Sequence, residues 1–142
     1  MPSKTTVLSE LCHLDYDAVA AYEATLERIE DDTLKRTIAE FCKDHRDHIT
    51  KLNELLLQNG EKEVNGTDLK KFLTKGKVVI AGLINDKAIL EAMNMNEKVT
   101  EEAYEKALKN DELTVSERSV LEKHYADERR HKQWFSEMAD KK

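Results

Sequence analysis

The chain has 142 residues, of which 37% are charged and only 6% aromatic, and its net charge is −6. That length suits one domain with a continuous core, and that balance suits long amphipathic helices rather than a sheet. The acidic surplus argues against a nucleic-acid binder, which needs a basic face for phosphates. The basic cluster Arg129, Arg130 and Lys132 is interleaved with Asp127, Glu128 and Glu137 and reads as a solvated mixed-charge face.

No apolar run approaches the roughly 20 residues of a membrane span, and Met1 to Thr6 is no secretory signal, so a cytoplasmic protein is expected. The two cysteines, Cys12 and Cys42, form neither a Cys-x-x-Cys site nor a disulfide framework. In a hairpin turning near Asp31 they stand at different helical levels, so both are expected as reduced, half-buried thiols.

All four glycines fall within a central stretch, Gly60 to Gly82, and the only proline is Pro2. Outside that stretch the chain lacks strong helix breakers. The first predicted helix covers about 5–30, where Val7, Leu8, Leu11, Leu14, Ala18, Tyr22, Leu26 and Ile29 keep a helical period. Asp31 or Asp32 caps a second helix over about 32–59, with the stripe Leu34, Ile38, Phe41, His45, His48, Ile49, Leu52 and Leu56. A crossover over about 60–85 follows, and Asp68–Lys75 with the apolar run Val78–Ile84 is expected to add a short helix to it.

The third helix runs over about 86–109 from Asn85 or Asp86, with Ile89, Leu90, Met93, Glu97, Thr100, Tyr104 and Leu108 on one face. Met93 and Met95 read as packing residues. Thr114 with Glu117 forms a capping box for a fourth helix over about 114–139, whose stripe is Leu121, Tyr125, Glu128, His131, Phe135 and Met138. Trp134 and Phe135 are expected to close the core beyond the middle of the bundle. Short outer connections and one long middle connection describe two antiparallel hairpins joined by a crossover, the ferritin-like form of the four-helix bundle in a single domain over 1–142.

Acids and imidazoles interrupt those apolar stripes in a repeated pattern. Asp15 precedes Tyr22 by seven residues, and His45 and His48 follow on the next helix; Glu97 precedes Tyr104 by seven, and Glu128 and His131 follow. Burying a lone carboxylate is costly unless it is paired or binds a cation. A carboxylate on one helix and two donors at i, i+3 on its hairpin partner, given twice, is the arrangement of a dinuclear metal site in a bundle core. Counted from their turns, all six side chains reach one level. Helical side chains lean toward the N-terminus, so each tyrosine phenol is expected to point at the acid seven residues earlier and hold it by a hydrogen bond. Asp44 lies at the edge of its stripe as a compensating acid, and His124, one turn before Glu128, is a supporting partner rather than a ligand.

Asp15-x6-Tyr22, Glu97-x6-Tyr104 and Glu128-x-x-His131 together resemble rubrerythrin and its ferritin-like relatives, over nearly the whole chain from Val7 to Met138. The run Asp44-His45-Arg46-Asp47-His48 is similar to that of bacterial ferritin-like domains associated with stress responses. The resemblance implies six metal ligands, Asp15, His45, His48, Glu97, Glu128 and His131, holding two irons, with Glu97 and Glu128 bridging. It also implies a peroxidase or ferroxidase of oxidative-stress defence, and pairing of bundles as a homodimer.

Two departures bear on the metal. His45 stands where rubrerythrin has a bridging glutamate, and Asp15 is one methylene shorter than the usual glutamate. Zinc, manganese or a single iron therefore stay open beside a di-iron centre, as does a structural or interaction bundle whose site is degenerate, zinc-occupied or empty. The four-cysteine iron site of full rubrerythrins has no counterpart, so redox turnover would need an external electron donor.

Overall fold

The computed structural model describes residues 2–66 and 80–142. Four helices fill them: α1 (Lys4–Arg28), α2 (Asp32–Gln58), α3 (Asp86–Ala107) and α4 (Val115–Lys141). Among the described residues there is no strand, and the architecture is an all-α four-helix bundle. Each helix begins where its sequence offers an oxygen to the otherwise unpaired first-turn amides. Ser3, Asp31, Asn85 and Thr114 are the N-caps, and Thr114 and Glu117 close the expected capping box. At the far end of α2, Gly60 takes φ +75°, and the Gly60 and Glu61 amides donate to the Leu57 and Leu56 carbonyls. That left-handed turn is open to glycine at little cost and ends the helix.

Contacts at the helix ends fix the directions. Asn110 Nδ2 donates to the Pro2 carbonyl, while at the other end Arg28 Nε donates to the Leu83 carbonyl, so α1 and α3 run antiparallel. Asn59 bonds Glu117 and Lys142 bonds Asp31, so α2 and α4 are antiparallel too. With each hairpin itself antiparallel, α2 and α3 are parallel, and the link between them spans the bundle's length. This is the two-hairpin crossover topology expected from the connection lengths. The predicted short helix of the crossover lies mostly outside the described residues.

The core divides into two apolar clusters above and below a polar middle layer. One contains Ala21, Ile38, Phe41, Leu90, Met93 and Phe135; the other contains Leu8, Leu11, Leu52, Leu56 and Leu121. Phe135 is fully buried, with Trp134 packed beside it, as expected. Met93 is fully buried, but Met95 is 62% exposed. Residues two apart on a helix lie on opposed faces, so the pair does not pack as one. Cys12 and Cys42 are free and buried, one in each cluster. No helix among the described residues is long and apolar enough to cross a membrane.

Candidate metal centre

The polar layer between the apolar clusters is made of the six residues singled out by the sequence. Asp15 comes from α1, His45 and His48 from α2, Glu97 from α3, and Glu128 and His131 from α4, and none is more than 1% exposed. Their donor atoms form two overlapping groups, Asp15–His45–His48–Glu128 and His45–Glu97–Glu128–His131, with the chosen atoms of each group within 4.8 Å of one another. Either group could hold a metal ion. Glu128 is the only carboxylate common to both; Glu97, the other acid expected to bridge, belongs to one.

Several potential ligand atoms converge at the centre of the layer. Glu97 Oε2, Glu128 Oε1, Glu128 Oε2 and His131 Nδ1 are buried without a hydrogen-bond partner. His131 Nδ1 lies 3.5 Å from Glu97 Oε2 and 4.0 Å from Glu128 Oε2. Such groups normally find partners in a folded interior, and leaving them unmet costs free energy. Here they face one another, as donors to a common cation would.

The charge pattern of the metal-free site follows from burial and proximity. Burial alone would discharge His45, but Glu97 and Asp15, at 3.0 and 2.8 Å, push its pKa up to about 10. Burial likewise favours the neutral form of Asp15 and Glu97, yet hydrogen bonds and charge from the histidines hold both well below the usual carboxylate range. Glu128 goes the other way: burial and the neighbouring Glu97 charge raise its carboxyl well above that range. Burial and proximity thus favour the charged form of His45 and the neutral form of Glu128, the two groups whose protons a bound cation would displace.

The tyrosines are buried beside the acids, but they cross between helices. Tyr22 of α1 donates to Glu97 of α3, and Tyr104 of α3 donates to Asp15 of α1 at 2.5 Å. The expectation that each phenol reaches the acid on its own helix is corrected. Seven residues advance a helix by about 10 Å, too far for one side chain, and the antiparallel pairing of α1 with α3 brings each tyrosine level with the other's acid. Burial and the carboxylates keep both phenols protonated by raising their pKa well above normal. They remain hydrogen-bond donors.

The outer supports are equally ordered. His131 Nε2 donates to Asp44 and His48 Nε2 to Asp127, each at 2.8 Å, which directs both Nδ1 atoms inward. His124 stacks on His48 with ring centroids 3.9 Å apart, and its Nδ1 is 3.1 Å from the Tyr104 hydroxyl. Burial and the adjacent His48 charge lower its pKa to about 3, so it is a neutral partner. Phe41 stacks on His131 in the matching place, at 4.2 Å. A cavity of about 380 Å³ in the α2–α4 seam, lined by Asp47, Lys51, Ser119 and Lys123, reaches His48 and His124.

Asp127 is a support that its sequence context hides: it and Arg130 read as a solvated charged face, yet Arg130 bonds Asp44 and Asp127 at 2.8 and 3.3 Å. The signal was present as a second copy of a short pattern. Asp44-His45-Arg46-Asp47-His48 and Asp127-Glu128-Arg129-Arg130-His131 share Asp-x-Arg-x-His, and each aspartate supports the last histidine of the other run. The two halves of the layer therefore match residue for residue: Asp15 with Glu97, Tyr22 with Tyr104, Phe41 with His124, Asp44 with Asp127, His45 with Glu128, and His48 with His131.

Fold and site together define an all-α four-helix bundle with a buried carboxylate–imidazole layer able to hold metal. The family model described as "Domain of unknown function (DUF2383)" matches residues 3–110, well over half of the chain, and the protein belongs to that family. The matched stretch includes Asp15, His45, His48 and Glu97, while Glu128 and His131 lie beyond it. No curated protein matches the chain.

Proposed function

We propose that this protein is a ferritin-like metal-binding protein whose buried layer holds two ions through Asp15, His45, His48, Glu97, Glu128 and His131. The observation that carries this reading is the convergence of six buried ligand side chains between the two apolar clusters, with Glu97 Oε2, both Glu128 oxygens and His131 Nδ1 facing one another without hydrogen bonds. The donor chemistry fits a borderline divalent cation: three carboxylates and three imidazoles without thiolate suit iron, manganese or zinc. Iron is the proposed metal of the site, and the reaction class is oxidation of ferrous iron or reduction of peroxide or oxygen in cytoplasmic stress defence. Bound there, a redox-active metal pair supplies two electrons and a Lewis-acid clamp for both oxygens of a small oxidant.

The chain's own residues have definite tasks in this reading. Glu128 spans the two groups, and Asp15 and Glu97 anchor the ends. Tyr104 and Tyr22 hold those end carboxylates in one orientation while keeping a proton close to them. Asp44 and Asp127 fix the tautomers of His131 and His48. Electrons for repeated turnover come from a separate donor, because the bundle has only two cysteines and neither lies beside the other. The ferritin-like relationship makes a homodimer the proposed assembly.

A second reading is favoured by one feature, the imidazole of His45 in place of a bridging carboxylate. In it the bundle is structural, and its site is zinc-filled or empty. Metal analysis of untagged protein from iron-supplemented cells, followed by anaerobic ferrous titration, separates the two. Close to two irons per chain, with oxidation on adding peroxide or air, is expected. Zinc alone, or no metal and no ferrous-dependent change in melting temperature, would establish the structural reading.

A further inference from the structure

One guanidinium joins the two supporting aspartates, and the proposed metal reading gives that contact a consequence. Arg130 is 54% exposed on α4, yet its Nη2 lies 2.8 Å from Asp44 Oδ2 on α2 and 3.3 Å from Asp127 Oδ1 one turn back. Asp44 in turn accepts from His131 Nε2, and Asp127 from His48 Nε2. Arg130 also sits over the Phe41 ring, 5.5 Å from its centroid, and Phe41 stacks on His131. As a surface ion pair this contact adds little stability. Its effect on position is larger. Without the guanidinium, two carboxylates face each other across the sparsely packed α2–α4 seam, and each is the fixed point for one histidine. Both acceptors meet the one Nη2 nitrogen, whose two protons are fixed in the guanidinium plane, where a lysine ammonium offers a freely rotating point charge.

We infer that Arg130 is a positioning residue that couples the two metal-binding groups, locking His48 and His131 together through Asp127 and Asp44. This rests on the metal reading above, and the experiment separates the two ideas. Wild type, Arg130→Gln and Arg130→Lys are titrated with Co(II), whose visible spectrum reports each ion as it binds. In parallel, nitrogen-15 NMR of the metal-free proteins reads the His48 and His131 tautomers. Losing a residue that directly orients a metal ligand typically costs 10- to 100-fold in metal affinity, and Arg130 stands one contact further out, so the lower end applies. The expected result for Arg130→Gln is a loss of about 10-fold at both ions together, with Arg130→Lys recovering part of it. The metal-free tautomers become mixed, while the metal-free melting temperature moves little.

Affinity and tautomers unchanged in Arg130→Gln, or one ion weakened alone, would overturn the coupling. If wild type binds no cobalt, the metal reading fails. Tautomer mixing in Arg130→Gln then still supports the positioning role, and fixed tautomers overturn it.

Discussion

Glu128 is the least comfortable side chain of the layer: fully buried, beside another carboxylate, with Oε1 3.4 and 3.5 Å from His48 and His45 Nδ1 and no well-formed hydrogen bond to either oxygen. An unsatisfied buried polar group costs about 1–3 kcal/mol, so its removal has a predictable sign. Glu128→Met, close in length and apolar, is expected to raise metal-free stability by about 1–2 kcal/mol and to abolish stabilisation by added metal. Calorimetry with and without Zn(II) or Fe(II) checks this, and a lower melting temperature with the metal response intact would contradict it. His45 behaves oppositely. Its ring spans Asp15 and Glu97 and carries the positive charge between them when no metal is present. Removing one partner of a buried charge cluster costs about 3–5 kcal/mol, so His45→Glu is expected to lose that much when metal-free. With two divalent ions the variant regains stability, because its layer then has four acids to match them. Denaturant titration in chelator and in metal tests both halves of that statement.

Helices form here because caps, periodicity and the absence of breakers agree, and the start of α4 shows how such an element is tied to the rest. Glu117 closes its own capping box and also accepts from Asn59, which caps the end of α2, and from Lys4 of α1. Burial would raise its pKa, but those bonds outweigh it and hold the carboxyl at about 2, below its ordinary 4.5. A depressed carboxyl contributes stability that is complete above its unfolded pKa and is lost as pH falls toward the folded one. Glu117→Gln is therefore expected to cost about 1–2 kcal/mol at neutral pH. The gap between variant and wild type should close between pH 4.5 and about 2, as urea melts across that range would show. A gap independent of pH would mean that the carboxylate charge is not what the site uses.

Element positions were legible for the same reason that they are stable. The Thr114–Glu117 box, Asp31 and Asn85 are local signals, and a short connection leaves a hairpin little choice but to fold back. Tyr22 and Tyr104 show where local reading stops. Their burial followed from the stripe, but their partners depend on which helix lies alongside, and a helix period carries no such information. Asp127 was hidden differently. Followed by Glu128, Arg129 and Arg130, it looks like part of a solvated run, and only the packing of α4 against α2 delivers it to His48.

At the scale of the whole molecule the site acts on the seam between hairpins. The α1–α2 hairpin supplies Asp15, His45 and His48, and the α3–α4 hairpin supplies Glu97, Glu128 and His131. Each four-residue group takes three side chains from one hairpin and one from the other, Glu128 in the first case and His45 in the second. An ion in either group therefore adds a link between hairpins that already meet through the tyrosine bonds, the histidine–carboxylate and Arg130–Asp44 contacts of the middle layer, the end contacts and the apolar clusters. Metal held by the folded state alone adds RT ln(1 + [L]/Kd), about 2.7 kcal/mol per site at a hundredfold excess over Kd. Chelation is accordingly expected to lower the melting temperature and to speed amide exchange in the middle turns of all four helices. The exchange should spread over both hairpins together, because neither group is confined to one. Exchange that accelerates in only one hairpin would show that metal sits within it rather than across the seam, and the paired six-ligand layer would then be the wrong description.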